Sequence, residues 1–202
     1  DPLARLASLR RMMFGDPAVL HNAALGLRVP QPDFPENAWL IRDHVLFVVM
    51  HVVGSNNAWS PRDPAGHAAF KARTDANRAL LEQALEAGQG AGVRAVVVIF
   101  HANPLFEQPG KRGFVALKQN LRRLLAGFDG PVLLIHGDTH SYRFDRPVLD
   151  AAGSSPIGRV QRLEVPGSPL VAGVRVSIDP HADPVFSVRT LYPSADEDWL
   201  GR

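Results

Sequence analysis

Four side chains in two short stretches have the types and spacing to do chemistry: His101 in V-V-V-I-F-H-A-N-P, and His136, Asp138 and His140 in P-V-L-L-I-H-G-D-T-H. Imidazole and carboxylate are the usual nitrogen and oxygen ligands of divalent metals, and Asp138 and His140 lie two residues apart after Gly137, which lets the chain bend so that both turn toward one point. The same D-x-H pattern also makes an ordinary hydrogen-bonded turn. What favours chemistry is position, since each histidine stretch begins just where an apolar run stops.

Those apolar runs are the elements that must position the site. Residues 93–100, apart from Arg94, and 132–135 are continuously apolar and bounded by turn formers, the pattern of strands covered on both faces. Between them Phe114, Leu117, Leu121, Leu124 and Phe128 recur every three or four residues, an amphipathic helix with Lys118, Arg122 and Arg123 turned outward. Strand, helix, strand predicts two parallel strands, adjacent or nearly so, with the helix packed across them, so that both histidine loops emerge at one sheet edge. Open α/β sheets bind ligands at that edge.

Upstream, residues 38–41 and 45–53 are β-rich runs separated by Arg42-Asp43-His44, a hairpin whose second arm ends at Gly54-Ser55-Asn56-Asn57. Asp63-Pro64 starts a helix whose apolar side is mostly small, from Ala65, Ala69, Ala72 and Ala76 to Leu80, Leu81 and Leu85, and which ends near Gly88. If the second hairpin arm joins the sheet through this helix, Ser55, Asn56 and Asn57 arrive at the same edge and line a substrate cleft. His51, inside that arm, and His136 are read as buried groups, either core or supporting the ligands from behind. His21, His44, His67 and His181 read as solvated.

The rest frames this centre. Leu3, Leu6, Leu9 and Met13 make residues 3–13 a short helix with Arg5, Arg10 and Arg11 on its wet side. Residues 25–29 suggest a short strand before a Pro-rich connector at 29–35. The runs 160–165, 171–178 and 185–191 read as antiparallel strands, and residues 194–202 as a loosely held tail. The whole is mixed α/β in one domain, 1–202, a length that buries roughly 70% of its extended surface.

Composition narrows the function classes. With 46% hydrophobic and 21% charged residues the chain belongs to the ordinary globular class, and no apolar run approaches the ~18 residues of a membrane span. There is no cysteine, which excludes thiolate ligands, thiol nucleophiles and disulfides within these residues. The net charge is only +2, and the pI of 9.4 reflects nineteen Arg against three Lys rather than a basic face. The basic residues are scattered without interleaved aromatics, so no dedicated nucleic-acid surface is expected. Compartment is not readable. Gly153-Ser154-Ser155-Pro156 is a turn and not a nucleophile elbow, and Gly110-Lys111-Arg112 lacks the rest of a phosphate-binding loop.

A strand ending in His, followed one helix later by a strand ending in H-G-D-T-H, resembles the last two motifs of the calcineurin-like metallophosphoesterases, in a bacterial branch whose final motif reads HGDTH. The resemblance covers the middle and later parts of the chain. It implies a mixed two-sheet sandwich flanked by helices, and a centre of two divalent ions (Mn, Fe, Zn or Mg) that hydrolyses a small phosphorylated substrate, a phosphomonoester or diester. It assigns His101, Asp138 and His140 as metal ligands, Asp138 standing where the family has a histidine. Gly54-Ser55-Asn56-Asn57 stands where the family has G-N-[HDE], with Ser55 in place of the expected Asn and Asn56 one residue displaced. The family's opening D-x-H and G-D motifs have no counterpart in order, since Asp179-Pro180-His181 comes too late and Gly15-Asp16 has no D-x-H before it. The resemblance therefore implies that the bridging carboxylate and the catalytic residues precede Asp1 in a longer protein, and that this chain alone turns over little. The alternative is a degenerate, non-catalytic relative that keeps the scaffold as a binding or interaction module.

Overall fold

The computed structural model describes residues 1–16, 25–108, 112–147 and 155–193. His21, Gly110 and Lys111, Gly153 and Ser154, and residues 194–202 lie outside them. Six strands form one mixed sheet: β1 (Ala38–Arg42), β2 (Val45–Val49), β3 (Ala95–Ile99), β4 (Val132–His136), β5 (Arg143–Asp145) and β6 (Val160–Glu164), in spatial order β1-β2-β3-β4-β6-β5. β2, β3, β4 and β6 are mutually parallel, while β1 and β5 close the two edges antiparallel. Among the described residues a second sheet is made of β7 (Gly173–Ile178) and β8 (Phe186–Leu191), paired antiparallel.

Alternation along each parallel strand builds two cores. Leu46 and Val48 of β2, Val96 and Val98 of β3, and Val132 and Leu134 of β4 face α2 (Pro64–Gly90) and α3 (Val115–Gly127), which contribute Leu80, Leu81 and Ala84 and Leu117, Leu121, Leu124 and Leu125. The intervening residues Val45, Ala95, Val97 and Leu133, with Leu163 of β6, face the β7–β8 hairpin. The β3–α3–β4 unit is as the sequence predicts: β3 and β4 are adjacent and parallel, with Val96 opposite Val132 and Ile99 opposite Ile135.

Three expectations change. The run 160–165 is not simply antiparallel, because β6 inserts between β4 and β5 and pairs parallel with β4 from Val132↔Val160 to His136↔Glu164. Residues 25–29 form no strand among the described residues beyond a single bridge from Arg28 to Trp39, since Pro30 removes the next donor. The N-terminal helix α1 (Pro2–Phe14), capped by the Asp1 carboxylate on the Leu3 amide at 2.9 Å, buries no residue. Leu3, Leu9 and Met13 stay exposed, and its inward side is Leu6, Arg10 and Phe14. Arg10 therefore faces the protein rather than water: its guanidinium clasps both Glu36 oxygens at 2.6 and 3.1 Å. The other solvated histidines fit, with His44, His67 and His181 exposed.

Candidate functional site

Parallel β2, β3, β4 and β6 share one C-terminal edge, and the four loops leaving it carry His51 and Gly54–Asn57, His101 and Asn103, Asp138 and His140, and Val165 to Ser168. Backbone strain concentrates there. Apart from Asp43 and His44, the two-residue turn of the β1–β2 hairpin, every described non-glycine residue with positive φ lies in these loops: Ser55, Asn56, Asn57, Ala58, Leu105, Asp138 and His140. Each left-handed residue costs about 1–2 kcal/mol relative to the right-handed form, so surrounding contacts must hold it.

In the Asp138 turn those contacts can be traced. The Asp138 carboxylate takes a weak hydrogen bond from the Asn103 amide on Oδ2 at 3.4 Å and lies 3.7 Å from His101 Nε2 through Oδ1. Gly54 comes so close that an added Cβ would sit 2.9 Å from the same Oδ1. Beneath, Glu164 is fully buried; its Oε1 accepts from the Thr139 hydroxyl and from Asn103 Nδ2 at 3.3 Å, and its Oε2 has only Arg143 Nε at 3.9 Å. Asn103 thus ties the carboxylate in the core to the one at the surface, its side chain on Glu164 and its backbone on Asp138. Sequence reasoning missed Asn103, Thr139 and Glu164. The signals available were the polar Asn in H-A-N-P and a Glu closing an otherwise half-apolar strand.

The three residues assigned to metal by resemblance are not equally placed. His101, with a side chain 67% exposed, and Asp138 face one another. His140 is held separately: its Nδ1 lies 2.7 Å from the Ser168 carbonyl, and its ring lies on Gly167, where a Cβ would meet it at 2.8 Å. Among the described residues no three or more His, Asp or Glu side chains gather closely enough to hold an ion together. A pair that shares an ion at ~2.1 Å has ligand atoms about 3.0–3.5 Å apart, so His101 Nε2 and Asp138 Oδ1 need little adjustment to do so. The Ser168 contact makes His140 Nδ1 a donor and leaves Nε2 with its lone pair, the tautomer that a metal-binding histidine needs. The donor set fits a divalent ion, in part.

The other residues sort by burial. Ser55, Asn56, Asn57 and Ala58 form a left-handed turn, and its two asparagine side chains are used inside the protein. Asn56 Oδ1 accepts from the Gly113 amide at 3.1 Å, Asn57 Nδ2 donates to the Gly113 carbonyl at 3.1 Å, and Arg73 Nη2 donates to the Asn57 carbonyl at 2.7 Å. Asn57 is buried, so it braces the loop, and of the three only Ser55 is well exposed. Gly113 leaves no room for a side chain, because a Cβ would overlap the Asn56 carbonyl. Gly113→Ala is expected to lose about 1–3 kcal/mol in urea unfolding, as overpacked sites do; a loss below about 0.5 kcal/mol would show that the loop moves aside freely.

His136 is buried behind the edge, stacked on Phe100 with ring centres 5.7 Å apart, and burial pushes its pKa down. His51 lies on the helix side of the sheet. Its backbone bonds the side chains of Asn37 and Asn77, its Nδ1 is 3.6 Å from Glu36, and burial lowers its pKa to about 4. Compared with known proteins, the chain matches no family model, no curated protein and no solved structure. No described helix is long and apolar enough to cross a membrane.

Proposed function

We propose that this chain is part of a metal-dependent hydrolase of small phosphate esters, with the sandwich architecture of the calcineurin-like metallophosphoesterases. The observation that supports it most is the pair His101 Nε2 and Asp138 Oδ1, 3.7 Å apart on neighbouring strand ends, with His140 nearby in sequence and its Nδ1 committed to Ser168. His101 and Asp138 would hold one ion and His140 the other. Bound divalent ions would supply an activated water and positive charge for the phosphoryl oxygens. The chain's own residues supply orientation: Asn103 steadies Asp138, while Glu164 and Thr139 fix the turn between Asp138 and His140. Among the described residues the bridging carboxylate and a catalytic acid or base have no candidates, so turnover of an aryl phosphate by the chain is expected to be slight.

Metal binding tests this reading without relying on activity. Mn²⁺ titrated into the chain and followed by electron paramagnetic resonance should bind weakly and saturably. Asp138→Asn and His101→Ala should each weaken it by about tenfold or more, the scale of losing even an indirect partner of a metal. An absence of saturable Mn²⁺ binding, or binding indifferent to both substitutions, would refute the assignment. Rapid Mn²⁺-dependent hydrolysis abolished by His140→Ala would instead show that the missing ligands lie within this chain.

A further inference from the structure

A cleft of about 670 Å³ separates α1 from the first half of α2, and His51 and Phe34 also line it. It explains why the small residues of α2 divide: Ala76 and Ala84 enter the core, while Ala69 and Ala72 line this cleft instead. Leu3, Leu6 and Phe34 make its walls apolar, and its volume is that of a small-molecule site.

The charges in it do not balance. Two guanidinium groups in the described protein are almost wholly buried, Arg162 at 2% exposure and Arg73 at 5%. Arg162 is matched by Asp145, at 2.7 and 2.6 Å, and by Glu107 at 2.9 Å. Arg73, which lines the cleft, has no such match: Nη2 donates to the Asn57 carbonyl, Nε has no partner, and no described carboxylate hydrogen-bonds it. Glu36, the one carboxylate whose charge reaches Arg73, already has both oxygens on Arg10. Asp33 lines the cleft too but is exposed, Arg11 adds a further positive charge, and His51 is neutral with its Nδ1 unbonded. A buried charge without a partner is costly, and the planar donor fork of arginine matches the paired oxygens of a carboxylate or phosphate.

We infer that this cleft binds a small organic oxyanion, a carboxylate or phosphate monoester on an apolar body, with Arg73 taking the anionic head and Leu3, Leu6 and Phe34 the body. It needs no metal, so its test is independent of the proposed ion pair. The full chain is titrated in the presence of EDTA with phenyl phosphate, benzoate and neutral phenol, following the Arg73 Nε–H signal by ¹⁵N NMR. Phenyl phosphate or benzoate should shift that signal saturably with a Kd of about 1 mM or tighter, and phenol should not. The tighter of the two anions identifies the head group. Arg73→Gln should weaken binding by about tenfold or more, and so should Ala72→Trp, which fills the cleft from an exposed helix position and decides the matter if the first variant fails to fold. Failure of both anions to saturate the signal, equal binding of phenol, or full affinity in Ala72→Trp would overturn the inference.

Discussion

Replacing Phe186 by Ala is expected to destabilise the protein by about 3–5 kcal/mol, a large part of the 5–15 kcal/mol that usually holds a domain together. Phe186 opens β8 and is 2% exposed. Among the described residues the core on that face has six buried members, and five of them, Val45, Ala95, Val97, Leu133 and Leu163, belong to the main sheet. Phe186 is the sole fully buried side chain that the β7–β8 hairpin contributes; Val174, Val176, Ile178 and Val188 are only partly covered. An isolated two-stranded hairpin is marginal in water, so losing its one anchor should free the hairpin as well as leave a cavity. Urea unfolding measures the first effect, and amide exchange in β7 and β8 measures the second. Phe186→Leu should keep most of the contact and lose about 1.5 kcal/mol or less. A loss under about 1 kcal/mol for Phe186→Ala would mean that the partly covered residues hold the hairpin on their own.

What could be read from the sequence follows how burial is achieved. β3 and β4 were legible because parallel strands covered on both faces have to be apolar at every position, and 93–100 and 132–135 are nearly so. β6 lies one strand from the sheet edge and is nearly as buried, but it reads V-Q-R-L-E, an alternation typical of a strand with one wet face. Its charges are tolerated because Arg162 meets Asp145 and Glu107, and Glu164 meets Thr139 and Asn103, partners up to 61 residues away that no local pattern announces. The helical spacing of α1 was visible, but which side faced inward was not, since Glu36 draws Arg10 in from a Pro-rich loop.

The candidate site divides along the same line. Strand order put His101, Asp138 and the 54–57 turn at one edge, and topology alone was enough for that. Side-chain direction was not available from order: His140 turns to Ser168, 28 residues on, and the amides of Asn56 and Asn57 turn to Gly113, 57 and 56 residues on. A loop braced by its own asparagines has a different use for them from one that offers them to a ligand. The part legible in advance was where chemistry would sit, and the part illegible was which atoms remain free to perform it.

Acid should weaken this fold as pH falls below about 6.5, and His51 is the main cause. Its pKa is about 4 in the folded protein against an ordinary value of 6.5, because burial outweighs the pull of Glu36, and Arg73 and Arg10 add repulsion. The 3.6 Å approach to Glu36 is therefore a contact with a neutral ring at pH 7, as Arg10 already holds that carboxylate. In the unfolded chain the imidazole takes up a proton as pH falls through 6.5, whereas in the folded protein it resists until about pH 4. Stability is thus complete above about pH 7 and falls between 6.5 and 4, by about 3 kcal/mol for a shift of this size at 1.36 kcal/mol per unit. His136, also held low by burial, acts in the same direction. Glu36 extends the loss below its ordinary 4.5: burial pushes its carboxyl up, but the Arg10 hydrogen bonds and its own backbone amide outweigh burial and hold it low. His51→Gln removes the titration while Nδ1 gives up no hydrogen bond. Urea unfolding at steps from pH 7.5 to 4 should show the variant within about 1 kcal/mol of the parent at neutral pH and with a shallower decline in acid. Parallel declines in the two proteins would place the acid sensitivity elsewhere, with His136 and Glu36 the next groups to substitute.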